Sequence, residues 1–235
     1  MWLINSSVGR KVVMSITGIA LILFLTFHMA MNLVAIISPK AYNWICEMLG
    51  ANWYALIATA ALAGLVALHF IYAIWLTLQN RTARGSERYA VTARPKKVEW
   101  ASQNMLVLGF IVVVGLLLHL FNFWFKMMFS ELQGIHTAVE NGGIAPTDGA
   151  GFVRYTFSNP VYVVIYLLWL VALWFHLNHG FWSALQTIGW NSKVWFERWR
   201  KTSNIYSTIL ILGFAAVIVV YFVYALINGQ VAFHW

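Results

Sequence analysis

The chain has 235 residues, 61% of them hydrophobic and 9% charged, with a net charge of +8 and a mean hydropathy of +0.73. So apolar a chain lacks the polar side chains to cover a water-soluble domain, and it belongs in a bilayer. One cysteine, Cys46, excludes a disulfide framework and an iron–sulfur cluster, which takes about four ligands. The absence of C-x-x-C-H excludes covalently attached c-type haem, and no G-x-G-x-x-G or G-x-x-x-x-G-K-[ST] run marks a nucleotide site.

Five apolar runs each reach the roughly 20 residues that a hydrocarbon core about 30 Å thick requires. They predict an all-α integral membrane protein with helices over about 12–37, 53–78, 100–128, 160–188 and 205–227, in a single domain over 1–235. The first run follows Arg10-Lys11. It is about twice the length of a signal-peptide apolar region, lacks a clear A-x-A site, and is read as a retained helix. The fourth begins at Ser158-Asn159-Pro160, capping side chains followed by a proline suited to the first helical turn.

The connections carry the topology. The N-terminal tail, the Gln79–Glu99 loop and the Gly189–Asn204 loop share one side and hold twelve of the fifteen cations; Lys40, Lys126 and Arg154 are the others. That placement speaks for membrane orientation rather than nucleic-acid binding. Positive loops stay inside, so the N-terminus is expected in the cytoplasm and the C-terminus outside, in the cytoplasmic (inner) membrane. The loop RTARGSERYAVTARPKK serves as that topogenic signal and is compatible with docking a partner, since it exceeds a tight helix connection. On the other side, Phe129–Ser158 is either a lid or a solvated linker, and we read it as a linker.

Helices one to four carry one depth-matched histidine each, and the fifth carries none. His28, His69 and His119 stand nine residues before their helix ends and His176 stands twelve before its own. Because successive helices reverse direction, His28 and His119 fall in the outer half of the membrane and His69 and His176 in the inner half. At 1.5 Å per residue the layers lie roughly 15–20 Å apart. A single buried histidine is commonly an interhelical hydrogen bond, but two matched pairs suit the axial positions of two haem irons with no open coordination site, hence electron transfer. A zinc site would need further ligands, and no intramembrane carboxylate or thiol supplies them. Gly115, Gly180 and Gly64 lie close in sequence to His119, His176 and His69. Each would let a porphyrin approach the backbone or two helices pack closely. Of the two histidines in WFHLNHGFWSAL, His176 is taken as the ligand, and His179 is read as a hydrogen-bonded residue near the cytoplasmic surface, or else as a donor to the ligand, a propionate partner or an alternative ligand. His136 and His234 are expected to be solvated, or interfacial like Trp235.

The opening SSVGRKVVMSITGIALILFLTFHMAMNL, the stretch FHLNHGFWS and the four-helix histidine spacing together resemble the di-haem cytochrome b subunit of succinate:quinone oxidoreductases, the group that includes menaquinol:fumarate reductases. The resemblance covers essentially the whole chain. It is most specific at S-x-V-G-R-K and at H-x-x-x-G-[FL]-W-S, and looser around His69 and His119. It implies the quinone-reactive membrane anchor of a respiratory complex, with a flavoprotein and an iron–sulfur subunit on the cytoplasmic side carrying the dicarboxylate chemistry. It also implies two b haems, the inner on His69 and His176 and the outer on His28 and His119, and menaquinone reacting near the outer surface. Some fumarate-reducing members carry a glutamate two residues before the fourth ligand; Trp174 stands there, which puts that proton path in doubt. Glu47 is a quinone-site candidate, at a spacing that does not match the family well. Trp44, Trp53, Phe123 and Trp124 could line a quinone pocket or form an interfacial belt. The alternatives are a di-haem b subunit of another respiratory dehydrogenase, of hydrogenase or formate dehydrogenase type, and a haem-free transporter. The second is disfavoured because the membrane interior lacks the carboxylates of a proton relay.

Overall fold

The computed structural model describes residues 6–84, 100–190 and 192–234. All regular structure among them is helical: α1 (Ser7–Ile37), α2 (Pro39–Met48), α3 (Trp53–Arg84), α4 (Trp100–Gln103), α5 (Met105–His119), a π-helical stretch over Leu120–Phe129, α6 (Ser130–Leu132), α7 (Gly149–Phe157), α8 (Pro160–Thr187) and α9 (Trp195–Ile227). Five segments are long and apolar enough to cross a membrane: Ser7–Ile37, Trp53–Thr82, Met105–Leu132, Pro160–Thr187 and Trp195–Ile227. With no water in the hydrocarbon to bond peptide groups, continuous helix is the only way for such single segments to span.

The helices overrun the expected bounds because hydropathy marks where a helix crosses hydrocarbon, not where its hydrogen bonding ends. The first starts at Ser7, since the Ser6 side chain accepts from Gly9 N at 2.9 Å and caps it, taking Arg10 and Lys11 into the helix. The second runs on to Arg84, six residues beyond Leu78. The fifth starts at Trp195 instead of Ile205, and its polar first turns include an exposed Arg200–Glu197 pair at 3.4 Å. Most of the expected Gly189–Asn204 loop is therefore helix. The third run is broken at Asn104, with four residues of helix before it. The start of the fourth is as the sequence predicts: Asn159 caps it through Val161 N at 2.9 Å, with Pro160 in the first turn. The cationic connection over 85–99, proposed above as a docking loop, lies outside the described residues, as does Trp235.

Two elements were not anticipated. Ser38 ends α1 and, with its hydroxyl accepting from Ala41 N at 3.2 Å and Pro39 next, starts α2 at once. The expected linker over 129–158 instead folds back onto the bundle. Within α7, Phe152 and Val153 are buried, as is Phe157 at its end, and they join the core. Asp148 caps α7 through Gly151 N at 2.9 Å and accepts from Asn43 Nδ2 at 2.7 Å, which ties α7 to α2. Burial of three large side chains at roughly 1.5–3 kcal/mol each outweighs a solvated path for this segment.

The core lies among α1, α8 and α9, where Ile22, Tyr166, Leu170, Leu173, Leu210, Val217 and Ile218 meet. Helix α3 is peripheral. It packs mainly against α1, and Ala55 is its buried residue among those described. Outward-facing apolar residues such as Leu23, Leu168 and Leu212, each more than 60% exposed, are the surface that lipid would cover.

Candidate functional site

The chain places its four intramembrane histidines in two ring contacts. One joins His69 on α3 to His176 on α8, with centroids 6.3 Å apart and planes at 67°. Thr17 on α1 sits beside it, its Oγ1 3.2 Å from His69 Nδ1. Two glycines give the rings room: a Cβ on Gly18 would reach His69 Cε1 at 3.4 Å, and one on Gly109 would reach His176 Cε1 at 3.8 Å. Nδ1 of His176 is buried with no hydrogen-bond partner. His179, farther along α8, meets the Trp182 ring edge-on at 4.9 Å.

The other contact joins His28 on α1 to His119 at the end of α5, at 5.8 Å and 87°. Aromatic rings surround it. Phe24 stacks on His28 at 5.4 Å and Phe214 of α9 lies at 5.8 Å, while Phe123 and Trp169 lie at 5.0 and 5.9 Å from His119. Directly after His119 the backbone turns π-helical, a local widening that often accompanies functional positions. Within it Asn122 is 2% exposed and donates to the Tyr166 hydroxyl at 3.1 Å, and Tyr166 in turn packs edge-on against His119 at 6.2 Å.

The two contacts occupy different levels. Thr17, level with His69, precedes His28 by eleven residues on α1, and Gly109, level with His176, precedes His119 by ten on α5. At about 1.5 Å per residue the levels are about 15–17 Å apart along the bundle.

The ring spacing at each level suits an iron between the two imidazoles, and the space for a planar group lies beside the inner pair, since aromatic rings fill the surroundings of the outer one. An iron between two imidazoles, at the ~2 Å metal–nitrogen distance usual for histidine, puts their centroids about 6 Å apart. The peripheral packing of α3 and the open space beside Gly64 and Gly180 agree with a planar group lying against this bundle. Among the described residues no cluster of three or more His, Cys, Asp or Glu could hold a bare metal ion. At Gly115 the structure favours the second of the two readings, close packing of helices: a Cβ there would collide with the indole of Trp169, whose Nε1 donates to the Val112 carbonyl at 3.1 Å. That glycine admits a side chain, not a macrocycle.

The remaining sequence candidates are scattered. Glu47 is exposed near the end of α2. The carboxylate that reaches the start of α3 is Glu131, which accepts from Ala51 N at 3.1 Å. Trp44 and Trp53 are 61% and 74% exposed, as a belt would be, whereas Phe123 turns inward onto His119 and Trp124 packs on Phe129 at 5.5 Å. Trp174 donates to Thr208 Oγ1 at 3.0 Å, linking α8 to α9. His136 is exposed. His234, expected to be solvated or interfacial, is half-buried and stacks on Tyr155 at 3.8 Å, its carbonyl accepting from Asn159 Nδ2 at 2.7 Å; desolvation lowers its pKa. The tail is held there because the buried Asn159 needs an acceptor. Thr17, Trp169, Tyr166 and Asn122 were missed; the only trace of Thr17 in the sequence is a hydroxyl next to Gly18, eleven residues before His28. Comparison with protein-family models, curated proteins and solved structures found no match.

Proposed function

We propose that the chain is the membrane-anchor, di-haem cytochrome b subunit of a succinate:quinone oxidoreductase or quinol:fumarate reductase, passing electrons between an iron–sulfur subunit and membrane quinone, menaquinone by the resemblance above. The observation that carries the reading is the pairing of four histidines from four helices into two contacts of 5.8 and 6.3 Å at two depths. Bound in such pairs, haem would supply reversible one-electron chemistry.

His69 and His176 would hold the inner group and His28 and His119 the outer. Phe24, Phe123, Trp169 and Phe214 pack around the outer pair and exclude water from it. The N-terminal end of the bundle carries Arg10, Lys11, Arg81, Arg198, Arg200 and Lys201 beside the exposed Trp190 and Trp195. This cationic end is the docking side for the iron–sulfur and flavoprotein subunits, and it is cytoplasmic by the distribution of positive charge. Quinone belongs at the opposite end, nearest His28 and His119, where Glu47, Glu131, Glu140 and Asp148 are the carboxylates.

A pyridine haemochrome assay on the purified full-length chain tests the reading. Two haems per chain are expected, with one lost in His28→Ala or His119→Ala and the other in His69→Ala or His176→Ala. Folded wild-type protein holding less than about one haem per chain would overturn it and favour the haem-free transporter.

A further inference from the structure

Thr17 and His69 meet where α1 faces α3, and the atoms around them decide which one donates. The Thr17 hydroxyl has one proton, and the carbonyls of both Val13 and Met14 stand 3.0 Å from its oxygen. A carbonyl only accepts, so the proton goes to the preceding turn and the oxygen keeps its lone pairs for His69 Nδ1 at 3.2 Å. That nitrogen must then carry hydrogen and donate. A neutral imidazole protonated at Nδ1 has its free lone pair at Nε2. Thr17 is 4% exposed, which keeps water from replacing it. Across the pair, His176 has no counterpart, its Nδ1 being buried without a partner.

We infer that Thr17 is a positioning residue: by accepting from Nδ1 it fixes the tautomer and orientation of His69 and leaves Nε2 as the ligating nitrogen, so that the inner pair has one anchored and one unanchored imidazole. The inference rests on the haem-binding reading and extends it to a residue that touches no iron. An acceptor on the outer nitrogen of a ligating histidine raises the basicity of the ligand. A more basic ligand favours the oxidised iron, so losing the acceptor makes the site easier to reduce.

The test is an optical redox titration, with low-temperature electron paramagnetic resonance, of the full-length protein as wild type, Thr17→Val and Thr17→Ser. The inner signal is identified as the one missing in His69→Ala. Thr17→Val keeps the shape and removes the acceptor. It should leave the haem count and the outer signal unchanged while shifting the inner oxidised-to-reduced ratio about threefold toward reduced at a given potential. That corresponds to about +28 mV at 59 mV per tenfold. The inner resonance should move as well, and Thr17→Ser should restore both. Should Thr17→Val fail to accumulate, Thr17→Ala removes the same oxygen with less bulk. Wild type with two haems and an inner signal identical in Thr17→Val overturns this inference and leaves the haem reading standing. So does a Thr17→Ser protein as shifted as Thr17→Val. Wild type without haem overturns both.

Discussion

Gly115→Ala should destabilise the bundle although alanine is the better helix former. In a helix interior the exchange gains about 1 kcal/mol of propensity. Against that, the new methyl group would overlap Cδ1, Nε1 and Cε2 of Trp169. These atoms belong to a rigid ring, not to the end of a flexible chain. The ring cannot withdraw freely, since its Nε1 is bonded to the Val112 carbonyl at 3.1 Å and its face lies against His119 at 5.9 Å. Overpacking costs about 1–3 kcal/mol, and giving up a hydrogen bond inside a membrane helix bundle about 0.6–2 kcal/mol. The net loss is then about 1–4 kcal/mol, or several degrees in melting temperature for a chain of this size. Thermal unfolding in detergent, followed by near-ultraviolet circular dichroism, reads it. In a Trp169→Leu background the same exchange should cost at least about 1 kcal/mol less, because the colliding ring is gone. A Gly115→Ala protein that melts at or above the wild-type temperature would refute the reasoning.

Three further outcomes are expected. Tyr221→Phe removes the 3.0 Å hydrogen bond to the Ala35 carbonyl that joins α9 to the end of α1 and should lower stability by about 0.6–2 kcal/mol in the same melting assay. Cys46 lies against Tyr42 and Gly149, and burial, reinforced by the negative charge of Asp148 and Glu131, pushes its thiol up from 9.0 to about 11. Alkylation of the folded protein should therefore be slow at pH 8 and accelerate toward pH 11, and stability should fall between pH 9 and 11, where the unfolded chain releases the thiol proton and the folded one retains it; a rate already at its plateau at pH 9 would contradict this. In a Cys46→Ala background, Lys96→Cys should react with an impermeant thiol reagent only from the cytoplasmic side, and labelling from outside would reverse both the orientation and the docking side.

From the sequence alone one can read the bilayer, the five crossings and the depth of each histidine. A span must close all its backbone hydrogen bonds internally, so apolar length becomes helix, and a fixed rise per residue turns residue number into depth. For the same reason hydropathy misses where helices end: α3 and α9 continue past the apolar runs because a polar turn in water satisfies its backbone equally well. What depth cannot supply is rotation of each helix about its own axis and the choice of neighbour. Those decide that Trp169 fills the space above Gly115, that the Thr17 hydroxyl stands behind His69 as its acceptor, and that Glu131 rather than Glu47 reaches the start of α3. They follow from side chains packing at crystal-like density, where one large ring excludes another. The same packing pulls α7 into the core although its sequence, glycine-rich at the start, reads as a linker. It also brings His234, far from Asn159 along the chain, to the one buried amide that needs its carbonyl.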